Sequence, residues 1–95
     1  MKKFLLLTIG FVPPTAEIMA AWNNWFASIG DAIVEHHGLA PGIEITADGS
    51  RNLPLDLEAI TGSMVIQAEN LEEAENIARK CPSITSIRVY EIRSH

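Results

Sequence analysis

A single cysteine, Cys81, in 95 residues leaves no internal disulfide to staple the chain. A secreted, cross-linked scaffold is excluded on that ground, and a reducing cytoplasm fits. Basic residues are scarce as well: seven Lys and Arg stand against twelve Asp and Glu, a net charge of −5. Nucleic acids and anionic membrane surfaces are both held by clustered basic side chains, so neither partner is expected. No apolar run approaches the ~20 residues that a membrane-spanning helix needs. The basic start Met1-Lys2-Lys3 before Phe4 to Val12 imitates a secretion signal, but Pro13-Pro14 and Thr15-Ala16-Glu17 offer no small-x-small cleavage site. Walker loop, dinucleotide fingerprint and nucleophile elbow are all missing, and no cofactor is expected.

Of what the chain does contain, the last third is the best specified. Thr61 to Ala68 alternates like a strand, Asn70 to Cys81 has the period of an amphipathic helix, and Ile84 to Ile92 alternates again. Asn70 is a good N-cap and Glu73 completes a capping box. Glu72, Glu73 and Glu75 suit the positive end of the helix dipole, Arg79 and Lys80 the negative end, and Pro82 stops the helix. The dipole disfavours a thiolate at Cys81, which reads as structural.

The first third repeats the order. Lys3 to Ile9 is strand-like, Thr15 to Ile29 helical and Asp31 to His37 strand-like. Thr15 caps the helix, and Ile18, Ala21, Trp22, Trp25, Phe26 and Ile29 form one apolar face, which assigns both tryptophans to the core. Gly30 is expected to end the helix in the left-handed conformation. Two βαβ halves in one 95-residue domain predict an α+β fold of the ferredoxin-like, split-βαβ kind. Between them Pro41-Gly42, Ile43, Ile45 and Asp48-Gly49 predict an extra hairpin able to reach a partner. With 47% hydrophobic residues the chain carries more apolar material than one helix layer covers, and a homodimer is expected.

Strand alternation yields candidate site residues. Met64, Ile66, Ala68, Ile87 and Val89 belong under the helices, which leaves Ser63, Gln67, Ser86, Arg88 and Tyr90 on the opposite face. That face is either a polar ligand pocket or a partly solvated sheet surface. His36 and His37 point to opposite faces of a regular strand, so they cannot share a metal, while Glu35 and His37 can share a face. With His95 the only other histidine, no metal site is expected. A histidine beside a carboxylate suits general-base work near neutral pH; the plainer alternative is an exposed histidine at a strand end beside Gly38.

Taken in order, Lys3-Phe4-Leu5-Leu6-Leu7, the helix carrying Trp22 and Trp25 and ending in Gly30-Asp31, the Gly38 turn, Thr61-Gly62, Asn70-Leu71-Glu72-Glu73-Ala74, Cys81-Pro82 and Val89-Tyr90-Glu91-Ile92 resemble the YCII-related domain family over nearly the whole chain. The resemblance implies a ferredoxin-like domain that pairs through its sheets into a dimeric α+β barrel with a pocket in each half. It also implies a histidine early in the first helix with an acidic partner, but that position here is Met19. The Asp-Gly-Pro-Phe signature of a related subgroup is absent, its place held by residues near Leu53-Pro54-Leu55. Two expectations follow. One is a small-molecule lyase or isomerase acting on a small anionic or aromatic metabolite, with Arg88 binding an anion, Tyr90 hydrogen-bonding it and His36 or His37 moving a proton. The other is a non-catalytic homodimer that binds a small ligand or a protein partner.

Overall fold

The computed structural model describes residues 1–93. Strand β1 (Lys2–Ile9) leads to helix α1 (Ala16–Ile29), a single 3₁₀ turn (Gly30–Ala32) and β2 (Ile33–Gly38). A hairpin of β3 (Gly42–Thr46) and β4 (Gly49–Leu53) follows, then β5 (Ile60–Ala68), α2 (Leu71–Arg79) and β6 (Ser86–Glu91). The four main strands form one antiparallel sheet in the order β2-β5-β1-β6. The two βαβ halves thus interleave their strands, as the split-βαβ arrangement requires.

Both helices are capped as their sequences dictate. The Thr15 hydroxyl accepts from the Ile18 amide at 3.2 Å, and the Asn70 side chain accepts from the Glu73 amide at 2.9 Å. Glu73 reaches back to the Glu69 amide, and Arg79 pairs with Glu75 one turn away. Gly30 departs from expectation: its φ of −43° is right-handed, because α1 tightens directly into the 3₁₀ turn instead of reversing. Asp31 therefore lies in that turn and not in β2.

The core lies between the sheet and the helices. Phe4, Leu6, Met64, Ile66 and Ala68 face Trp25, Ala74, Ala78 and Cys81, with Ile87 and Val89 packed against them. These are the strand positions that alternation assigns to the helix side. Trp25, 4% exposed, donates its indole N–H to the Ile77 carbonyl at 3.1 Å and ties α1 to the last turn of α2. Burial pushes the Cys81 thiol up to about 12, so it is a packed side chain and not a nucleophile.

Two glycines are fixed by geometry. Gly10 has φ +106°, and a Cβ there would sit 2.7 Å from the Thr85 backbone nitrogen. Gly49 has φ +139° and opens β4, so the hairpin turn is Ala47-Asp48, one residue ahead of the Asp-Gly pair that signals it. The hairpin is exposed throughout, with Ile43 at 61% and Ile45 at 75%, and its Glu44 and Arg51 side chains pair at 2.6 Å.

Candidate functional site in the cleft between α1 and the sheet

Two breaks in strand register shape the site. In β2, Ile33 pairs with Ile66 and Glu35 with Val65, which leaves Val34 as one extra residue. A strand running regularly from Ile33 would place Glu35 on the helix side. The bulge exchanges the pair: His36 stands opposite Met64 on the helix side, and Glu35 and His37 share the open face, 3.6 Å apart. In β5 the extra residue is Thr61, between Gly62 opposite Thr8 and Ile60 opposite Ile9. Its hydroxyl lies 3.3 Å from the Thr8 carbonyl, 3.4 Å from the Gly10 carbonyl and 3.3 Å from the Thr8 hydroxyl, which can donate to it or accept from it.

Between these bulges and α1 is a cavity of about 440 Å³. That lies within the roughly 300–1,000 Å³ usual for small-molecule sites. Its floor is the helix side of the sheet (Leu6, Thr8, Met64, Ile87), and its roof is the face of α1 carrying Ile18, Met19, Trp22 and Phe26. Phe11, Val12, Pro14 and Ile84 close one end, and His36, His37 and Gly38 edge the side toward β2. Among the described residues, no Asp, Glu, Lys or Arg is in the lining. Gly62 keeps the floor low, since a Cβ there would come within 2.9 Å of the Thr8 hydroxyl.

The aromatic residues of α1 divide between core and cavity. Trp22 meets Trp25 edge-on, with centroids 5.7 Å apart and planes at 83°. It forms a tilted pair with Phe26 at 5.8 Å and 35°. Phe26 in turn packs on the His36 ring at 5.0 Å and 34°. Trp22 is half-buried and its indole N–H has no protein acceptor among the described residues, unlike that of Trp25. The expectation that both tryptophans are core residues thus divides: Trp25 is buried core that also borders the cavity, while Trp22 packs against the core and stays half-buried at the cavity wall.

The candidate residues named from the sequence do not form one constellation within the chain. His36, His37 and Ser63 all border the cavity, both histidines exposed, and Met19 stands over it, 57% exposed. Gln67, Arg88 and Tyr90 lie on the other side of the sheet with Leu5, Leu7 and Val65, and all three are exposed. Arg88 has no carboxylate partner among the described residues, so neither Glu35 nor Glu91 anchors it; they pair with His37 and Lys2. Sequence reading missed the cavity's position because the two bulges that shape it have no local signature. Trp22 and Phe26 were visible only as an apolar stripe.

Among the described residues no three His, Cys, Asp or Glu side chains gather into a metal-holding group, and His95 lies outside those residues. No described helix is long and apolar enough to cross a membrane.

No family model matches this sequence, and no curated protein does. Among solved structures it is similar to 5-chloro-2-hydroxyhydroquinone dehydrochlorinase (TftG) from Burkholderia phenoliruptrix AC1100, solved in complex with 2,5-dihydroxybenzoquinone. The TM-score is 0.58 at 12% identity, over 98% of this chain and 95% of that one. At that identity the likeness establishes the fold alone: an antiparallel α+β unit of the same architecture.

Proposed function

We propose that this protein is a small-molecule enzyme of the lyase or isomerase kind, working in the cleft between α1 and the sheet. The observation that carries the reading is His36, an exposed imidazole that the Val34 bulge turns to the helix side, at the edge of a cavity without charged side chains among the described residues. An imidazole is the side chain best suited to take and return a proton near neutral pH. Taking a proton from a bound substrate leaves an electron pair, which either expels a leaving group as a double bond forms or is reprotonated at another atom. The first outcome is a lyase reaction and the second an isomerisation.

The resemblance to YCII-related domains supports the same cavity from the other wall. Met19 occupies the position where those domains carry their suspected catalytic histidine, and it stands over this cleft. On this reading the acid–base group comes from β2 and not from α1. The neighbour TftG, a dehydrochlorinase bound to a small ring compound, supports a small-molecule elimination on this scaffold by analogy. We place the protein in the cytoplasm as a homodimer that pairs through the open sheet face, where Leu5, Leu7 and Val65 have no helix above them. Pairing would close the two sheets into a barrel and bring Gln67, Arg88 and Tyr90 of both copies together.

A second reading rests on Arg88, which has no carboxylate partner among the described residues. A guanidinium enclosed between two sheets needs an acceptor, and a small anion held by Ser63, Gln67, Arg88 and Tyr90 would supply one without catalysis. Thermal-shift screening of neutral and anionic metabolites against wild type, His36→Gln and Arg88→Gln separates the two. Catalysis in the cleft predicts a ligand whose turnover is lost in His36→Gln and kept in Arg88→Gln. An anion whose stabilisation disappears only in Arg88→Gln, with no turnover, overturns it.

A further inference from the structure

We infer that the α1 cleft selects an uncharged, flat ring bearing hydroxyl or carbonyl oxygens at its edge, and that Trp22 is the residue that recognises it. This rests on the cleft being the functional site and adds its ligand class. Trp22 and Phe26 lie 35° from coplanar and 5.8 Å apart, so together they form a shelf of π-surface along the roof. Met64 belongs to the apolar floor facing that shelf. Aromatic faces reward a planar occupant with offset-stacked or edge-to-face contacts.

Charge decides the rest of the class. Among the described residues, the lining has no arginine or lysine to meet an anion and no carboxylate to meet a cation. Moving an ionised group from water into such walls without a partner is costly, so carboxylates, phosphates and amines are discriminated against. Neutral hydrogen-bonding groups are present at separate edges: the Thr8 and Thr61 hydroxyls at the β5 bulge, His36 and His37 toward β2, and on α1 the Asn23 amide and the indole N–H of Trp22, which has no acceptor among the described residues. A ring with oxygen substituents can reach more than one of these while its faces stay in apolar contact. An aliphatic ring of the same substitution keeps the hydrogen bonds and loses the stacking.

The two tryptophans make the test direct, because each indole N–H gives its own NMR signal. The ¹⁵N-labelled protein is titrated with catechol, benzoate and trans-1,2-cyclohexanediol. Catechol is expected to move the Trp22 signal saturably and by more than that of Trp25, which also borders the cavity but has its indole N–H held on the Ile77 carbonyl. Benzoate and the diol should bind about tenfold more weakly or worse. Trp22→Phe should keep catechol binding and Trp22→Leu should weaken it about fivefold, the Trp25 signal reporting that each variant is folded. Benzoate or the diol binding as tightly as catechol overturns the ligand class and leaves the cleft as the site. Catechol binding unchanged in folded Trp22→Leu overturns the role of Trp22. If none of the three compounds moves either indole signal, both the ligand class and the cleft reading fail.

Discussion

The His36 ring packs on Phe26 with centroids 5.0 Å apart and 34° between planes, joining the sheet's edge strand to α1 across the cavity. That contact depends on the bulge at Val34, which turns His36 to the helix side of the sheet and Glu35 to the open face. It links a backbone irregularity to a chemical one, since the imidazole is held by stacking and not by a carboxylate.

His36→Phe should preserve the stack and leave stability within about 1 kcal/mol of wild type, since volume and aromatic contact are kept. Ligand turnover should be abolished in the same variant. His37→Ala, which removes only an exposed pair with Glu35, should change stability by about 0.5 kcal/mol or less and leave turnover intact. Urea denaturation with a turnover assay checks both.

Trp25→Ala should cost about 3–5 kcal/mol, because a nearly fully buried indole leaves a cavity and an unpaired Ile77 carbonyl. Trp22→Ala should cost clearly less, its ring already facing open space. Equal losses in urea denaturation would assign Trp22 to the core as well.

The Cys81 thiol predicts an alkaline limit to stability. Its folded value is raised from 9.0 to about 12, so below pH 9 both states keep the proton and the full contribution is present. Above pH 9 the unfolded chain loses the proton first, and stability falls as pH rises toward 12. Melting temperatures should therefore decline over that window more steeply in wild type than in Cys81→Ala. At neutral pH the native thiol should resist thiol reagents until the protein unfolds.

How much of this was open to sequence reading differs by element. The capped helix after Asn70 and the alternation of Met64, Ile66, Ala68, Ile87 and Val89 follow from local rules, and the structure agrees with them. Gly30 was misread because a glycine after a helix does not reveal whether the chain reverses or tightens. The helix-side cavity was not legible at all. The bulges at Val34 and Thr61 exist only relative to the strands beside them, so nothing within β2 or β5 announces that His36 turns to the helix side. Ser63, Gln67, Arg88 and Tyr90 lie on the sheet face that alternation gives them, opposite the helices.

Pairing through the open sheet face predicts a dimer in sedimentation at micromolar concentration. Val65→Lys, which puts a charge among Leu5 and Leu7, should shift the protein to monomer or unfold it. A stable wild-type monomer would leave that face, and the exposed Ile43 and Ile45 of the hairpin, without the proposed partner.

The most direct test of the α1 cleft as the functional site is a cocrystal structure with whichever ring or aliphatic fragment raises the melting temperature most. Density is expected between Trp22 and Met64, within reach of His36 and Thr61. Density on the other side of the sheet, against Arg88 and Tyr90, would contradict it.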